Sequence, residues 1–249
     1  MLKRLFLLFL IPVLLSAAIG YDNTSYTAGS GNQVYTWSHT TTGTKLVMHV
    51  ECGWYSGDTS LSSISYNGVS LTQLDQTSGS GNRRLAQFYM TAPATGAHNI
   101  QVTFAAPLNN AFEGFWCAAV TLKGVNQTNP IDAHSIAVIG GAAAFATFSS
   151  PTITATKSND WLVGGWMSNN MLLFNENNGQ TQAYKCNLCT SSPVVAGDLA
   201  YAGPVSVGAN SLSWTIAQND SMSNISTAIT AYQPDAPVIL PVKHKVVRQ

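Results

Sequence analysis

The segment KLVMHVECGW, residues 45–54, alternates: Leu46, Met48, Val50 and Cys52 fall on one side, His49 and Glu51 on the other. A period of two marks a strand with one face in a core, because successive side chains of an extended chain point to opposite faces. The same spacing returns in NIQVTF (99–104), with Ile100, Val102 and Phe104 in phase, and in SLSWTIA (211–217), with Leu212, Trp214 and Ile216 in phase. Turn chemistry punctuates these runs at Asn67-Gly68, Thr95-Gly96, Gly79 to Asn82 and Gly208 to Asn210, residue types that accept the backbone of tight turns. No stretch sustains helical spacing with a cap. About a dozen short strands joined in this way predict an all-β chain, an antiparallel two-sheet sandwich of jelly-roll-like form.

An internal repeat organises these strands. TGTKLVMHV (42–50), VSLTQLDQ (69–76), RRLAQFYM (83–90), TGAHNIQVTFAAP (95–107) and FWCAAVTLKGV (115–125) follow one another in the first half. KSNDWLVGGW (157–166), GQTQAYKC (179–186), AGDLAYAG (196–203), VGANSLSWTIAQ (207–218) and NISTAITAYQP (224–234) follow in the same order. The offset of roughly 110 residues is too long for a solenoid repeat. It predicts two pseudo-repeated halves sharing one core, since an amphipathic half does not bury its apolar face alone. A loose linker between them is expected over residues 125–150.

The chain opens MLKRLFLLFLIPVLLSAAIG: Lys3 and Arg4, then an apolar run from Leu5 to Leu15, then small residues. That is the pattern of a secretory leader, and the apolar run is short of the ~20 residues that cross a bilayer. Cleavage after Ala18 or after Gly20 satisfies the small-residue rule. The expected organisation is a leader over 1–20, a β-sandwich domain over 21–233, and a proline-containing basic tail over 234–249. The expected location is secreted, extracellular or on the cell surface, with no membrane span after cleavage.

Charged residues are 9% of the chain and the net charge is zero, against about 25% charged in an average soluble domain. Ser, Thr, Asn, Gln and Gly therefore carry the solubility. The few basic residues are scattered, which argues against a nucleic-acid partner, because such a surface needs a basic face.

TWSHTTTGTKLV (36–47), ISYNGVSLTQL (64–74), YMTAPATGAHNIQVTF (89–104), LKGVNQTNPIDA (122–133), PTITATKSNDWLV (151–163) and GQTQ (179–182) together resemble a recurrent secreted β-sandwich domain of exported bacterial proteins and phage surface proteins. The resemblance runs from about Tyr21 to Gln233. It implies a jelly-roll-like sandwich, often found beside adhesive or glycan-binding modules, and it implies no catalytic residues. The four cysteines and the tail after Tyr232 depart from the family's pattern.

Cys186 and Cys189 stand as C-x-x-C. A zinc site needs a second such pair or two histidines nearby, and a redox dithiol needs a βαβ setting. Neither is present, so in an oxidising compartment the pair reads as a local disulfide in a surface loop, with no metal and no cofactor implied. Cys52 shares the phase of Leu46, Met48 and Val50, whereas Cys117 alternates against Trp116, Ala118, Val120 and Leu122. If those four residues mark the core face of their strand, the two thiols point opposite ways and stay free.

The one enzymatic constellation the residues allow is Glu51, Glu113 and His49 on a shared sheet surface, where two carboxylates would suit glycoside hydrolysis. The plainer reading makes them solvent-facing polar positions. For ligand binding, Trp54, Tyr55 and Asp58 lie where a strand runs into a loop, and Trp166 lies on the matching strand of the second half. Exposed rings there would stack on sugar faces; buried, they would be core. The function expected is a non-catalytic exported binding or adhesion protein, with a glycan or cell-surface polymer as candidate ligand. The alternatives are a carbohydrate-active hydrolase on a jelly-roll scaffold and a structural component of a surface or virion assembly.

Overall fold

The computed structural model describes residues 18–57, 59–77, 82–109, 113–139, 147–168, 174–177, 179–187, 189, 195–216 and 225–235. Its first half contains β1 (Gly20–Gly29), β2 (Val34–Thr41), β3 (Val47–Tyr55), β4 (Leu61–Tyr66), β5 (Val69–Ser70), β6 (Thr72–Gln76), β7 (Arg83–Thr91), β8 (Gly96–Phe104) and β9 (Gly114–Lys123). Its second contains β10 (Ile131–Ile139), β11 (Thr147–Ser149), β12 (Ile153–Ala155), β13 (Asp160–Ser168), β14 (Phe174–Glu176), β15 (Thr181–Cys186), β16 (Ala196–Val205), β17 (Gly208–Asn210), β18 (Ser213–Ile216) and β19 (Ile225–Tyr232).

In the first half a five-stranded sheet, β1-β9-β3-β7-β6, faces a four-stranded sheet, β2-β8-β4-β5. The first strand lies beside the last and the chain crosses repeatedly between the sheets, which is jelly-roll topology. The second half repeats the arrangement: β10-β19-β13-β16-β15 faces β11-β18-β14 and β12-β17. The all-β fold and its two pseudo-repeated halves are therefore as the alternation and block order predicted. Each half closes its own sandwich, around Met48, Val50, Ile64, Val102 and Phe104 in the first and around Leu162, Trp166, Leu212 and Trp214 in the second. A third apolar layer, with Val47, Trp116, Val120, Leu122, Val163, Met167, Leu199 and Tyr232, joins the two five-stranded sheets. That layer is the core the halves share.

The repeat extends to irregularities. β1 and β10 each carry a bulge at an aspartate, Asp22 and Asp132. Asp22 accepts the backbone N–H and the hydroxyl of Thr42 at 3.0 and 2.6 Å, and Asp132 accepts the same two groups of Thr156. A bulge re-aims a side chain by adding one unpaired residue, and here it turns the same carboxylate toward the same loop twice. The β6–β7 and β15–β16 pairs also bulge at matching places, Leu74 and Ala183.

The halves meet as a pseudo-dimer. β1 packs near β15 and β6 near β10, β3 lies on β13, and β7 lies on β19. Exchanging each strand for its counterpart interconverts the first two contacts and maps β3 on β13 onto itself, as in an isologous interface, whereas β7 on β19 is not matched to the same extent by β9 on β16. His134 with Asp75 on one flank is matched by Tyr26 with Tyr184 on the other.

Two expectations fail. Cys52 and Cys117 are bonded to each other, directly opposite on β3 and β9. β9 is buried on both faces: Trp116, Ala118, Val120 and Leu122 point to the second half, whereas Phe115, Cys117 and Ala119 point into the first half's own core beside Cys52. A strand buried on both sides reads as a continuous apolar run, so its phase does not reveal which side is the sandwich interior. Within the linker expected over 125–150, residues 131–139 and 147–149 are strand, β10 being the first strand of the second five-stranded sheet. The connection proper is Gly124 to Pro130, where Asn126 Oδ1 accepts the N–H groups of Thr128 and Asn129, both at 2.9 Å. β10 is an edge strand, half-buried for most of its length, and shows no clean alternation.

Candidate functional site

β3 carries His49 and Glu51 on the face opposite Met48 and Val50, as its alternation requires. That face is not solvent. It lies against the second half, and both residues are fully buried, so neither the solvent-facing reading nor an open catalytic face holds. His49 Nδ1 and the Tyr232 hydroxyl stand 2.8 Å apart, and His49 Nε2 lies 3.5 Å from Glu51 Oε2. Among the described residues, neither Glu51 oxygen has a hydrogen-bond partner. Burial, reinforced by the Asp198 carboxylate, holds the Glu51 carboxyl well above the usual range, and burial pushes His49 down to about 3. Burial thus leaves the His49 imidazole neutral at pH 7 and favours the protonated form of the Glu51 carboxyl. A second polar link crosses the junction: the Thr230 hydroxyl donates to Gln87 Oε1, and Gln87 Nε2 donates to the Ser135 carbonyl at 3.2 Å.

Glu113 does not join them. It precedes β9 and accepts a hydrogen bond from the Ser56 hydroxyl at 2.7 Å. Glu51 is paired with Ala118, so Glu113 lies roughly 16 Å further along the strand at about 3.3 Å per residue. A retaining or inverting carboxylate pair sits about 5 to 9.5 Å apart. The three residues do not form one site.

The aromatic candidates also move inward. Trp54 is fully buried in the first half's core and donates its indole N–H to the Thr59 carbonyl at 3.0 Å. Trp166 is fully buried in the second, edge-on to Phe174 and Phe148. Neither presents a face to a ligand. Tyr55 is half-buried against the shared core, and Asp58 lies outside the described residues. Cys186 and Cys189 are bonded to each other at the end of β15. They pack against the rim of the shared core, with Cys189 Sγ 3.6 Å from the Tyr184 hydroxyl.

The feature that sequence reading passed over is the outer face of β2-β8-β4-β5. Inward residues of these strands are mostly apolar, with His39 and Thr41 buried among them; outward ones are mostly small and polar, with Val34 and Val69 exposed at the margins. Thr36, Gln101 and Ser65 form one row across three strands, with Ser38 and Asn99 paired in the next. The Asn67-Gly68 turn between β4 and β5 has φ of 50° and 77° at its two residues, the primed geometry that matches strand twist. It brings Asn67 to the rim. Thr36, Ser65, Asn67, His98, Asn99 and Gln101 line a concavity of about 520 Å³. His98 is edge-on to Tyr66, with Nε2 3.1 Å from the Thr95 carbonyl. Its sequence signal was the polar half of each alternation, Asn99, Gln101 and Thr103 in NIQVTF.

Among the described residues, no three His, Cys, Asp or Glu side chains gather as a metal site, and no helix is long and apolar enough to cross a membrane. No protein-family model matches the chain, and no curated protein matches it. Fold and face together define a tandem jelly-roll protein whose outer β2-β8-β4-β5 face carries mainly hydroxyl and amide side chains.

Proposed function

We propose that this is an exported binding or adhesion protein that holds a neutral glycan on the outer face of β2-β8-β4-β5. The carrying observation is the concavity of about 520 Å³ lined mainly by hydroxyl and amide side chains, with the His98 imidazole beside them. Ser and Thr hydroxyls donate and accept, and Asn and Gln amides do both from one planar group. Such a lining matches vicinal sugar hydroxyls, and it holds no carboxylate, ammonium or guanidinium for a charged ligand. The leader-like N-terminus and the low charge of the chain support an extracellular setting.

The test is a glycan array followed by titration calorimetry, on the wild type and on Asn99→Ala with Gln101→Ala. Both positions are exposed, so the fold is expected to survive. Affinity should fall at least tenfold, since each lost hydrogen bond to a polar ligand contributes about 0.5–1.5 kcal/mol. An array without hits, or binding indifferent to the pair, would sink the reading. The pseudo-twofold pairing of two jelly rolls favours a second reading, a structural component of a surface or virion assembly, because jelly rolls serve capsids as well as lectins. Ordered particles or sheets in electron micrographs of the purified chain would support it.

A further inference from the structure

Two peptide bonds satisfy the small-residue rule for leader removal, Ala18–Ile19 and Gly20–Tyr21, and only the structure distinguishes them. Ile19 is 5% exposed and belongs to the layer shared by the two halves, with Val47, Leu122, Val125 and Tyr232. Gly20 is already the first residue of β1, paired with Lys123 of β9. Ala18, by contrast, is exposed. Gly124 has φ +76°, and a Cβ there would stand 3.6 Å from Ile19 Cα and 2.5 Å from the Ala18 carbonyl oxygen. The backbone after β9 therefore runs beside the Ala18–Ile19 bond. Ala18 and Ile19 also border a cavity of about 170 Å³ with Asn159, Trp161 and Pro204. Those three belong to the second half, so the start of β1 touches both halves at their seam.

We propose that the leader is removed at the Ala18–Ile19 bond and that the mature chain begins with Ile19 as a plug between the two jelly rolls. This rests on the export reading given above. Water adds across the bond under the exporting cell's leader peptidase: the carboxylate stays on Ala18 of the leader, and the amine becomes the ammonium of Ile19. Cutting two residues later would discard a buried isoleucine and the first rung of β1. Ser16 and Ala18 supply the small residues that such a peptidase reads.

The experiment expresses the full chain with its own N-terminus in a secreting host and reads the exported product by intact mass and N-terminal sequencing. A chain starting at Ile19 is expected. A start at Tyr21 overturns the proposal and leaves export standing, and any other internal start does the same. A retained chain starting at Met1 overturns both. Leaderless chains beginning at Ile19 and at Tyr21, released from a removable tag, give an independent measurement. The shorter should melt roughly 5–10 °C lower, the consequence of removing one buried aliphatic side chain from a chain of this size. Equal melting temperatures would remove the structural basis and overturn the proposal.

Discussion

At the centre of its five-stranded sheet, the first half places Cys52 opposite Cys117, and these are bonded. At the corresponding rung, the second half places Trp166 opposite Thr227. Each pair lies five residues along from matching rungs, Val47 with Leu122 and Trp161 with Tyr232. One half joins its central strands covalently and the other fills the same region with a large indole. The comparison teaches that the fold needs this rung occupied and tolerates two ways of doing so. Along the junction the counterparts are again unequal: Glu51 Oε1 lies 2.8 Å from where a Cβ on Gly165 would stand, and Met167 fills the space beside Gly53. Large faces small at equivalent positions, so each half fits the other better than it would fit a copy of itself.

The largest expected effect breaks the covalent rung. Cys52 and Cys117 close a loop with a sequence separation of 65, for which chain-entropy loss in the unfolded state is worth about 4 kcal/mol. Cys52→Ala with Cys117→Ala should lose stability of that order in urea titrations. A loss below about 1 kcal/mol would show that packing already carries this rung in the first half, as it does in the second.

Next is the size match at the junction. A Cβ on Gly53 would stand 2.6 Å from Trp116 Nε1 and 2.7 Å from Met167 Cγ. Gly53→Ala should therefore cost about 1–3 kcal/mol as overpacking. Combined with Met167→Ala, the two changes should be non-additive by about 0.5–3 kcal/mol, because the second vacates space the first needs. Strict additivity would mean that these two residues do not meet across the junction.

These contrasts explain what could be read in advance. Block order, the Asn67-Gly68 turn and the inward residues of β8 were legible because they depend on local alternation and turn chemistry. The destination of the polar face of β3 was not. Alternation says that His49 and Glu51 oppose Met48 and Val50, but only the packing of one half on the other says that this side is dry. The same layer hid the Cys52–Cys117 bond, since β9 is apolar on both sides. Trp54 and Trp166 sit in a strand and its counterpart; both were read as candidate sugar platforms and both are core. The polar concavity was overlooked because its residues are ordinary one at a time and gain meaning only when three strands align them.

The junction also gives the halves unequal pH behaviour. Glu51 belongs to the first half and its counterpart Gly165 cannot titrate. Burial raises the Glu51 carboxyl well above its ordinary 4.5, so the folded state holds a proton that the unfolded state releases. Its contribution is present in full below pH 4.5 and is lost as the pH rises from there toward the folded value. His49 acts oppositely: lowered to about 3 from 6.5, it removes stability as the pH falls from 6.5 toward 3. Glu51→Gln should therefore gain on the wild type above pH 4.5, by up to about 1.4 kcal/mol per pH unit. Parallel stability curves for the two proteins from pH 4 to 9 would show that Glu51 is ionised and solvated after all.

The smallest effect is expected at the second disulfide. Cys186 and Cys189 are three positions apart in the chain, so their bond removes little freedom from the unfolded chain. The first half manages the equivalent connection, between β6 and β7, with Gln76 and Thr77 and no cysteine. There the Thr77 hydroxyl accepts the Leu85 N–H at 2.9 Å, and the Thr77 N–H donates to the Leu85 carbonyl at 2.8 Å. Among the described residues, these two hydrogen bonds tie that end of the sheet. Cys186→Ser with Cys189→Ser should thus leave both jelly rolls folded and reduce stability by roughly 1 kcal/mol or less, part of it from the contact of the two sulfurs with the rim of the shared core. A loss as large as that of the Cys52–Cys117 variant would contradict the equivalence of the two connections and make the clip a condition of folding in the second half.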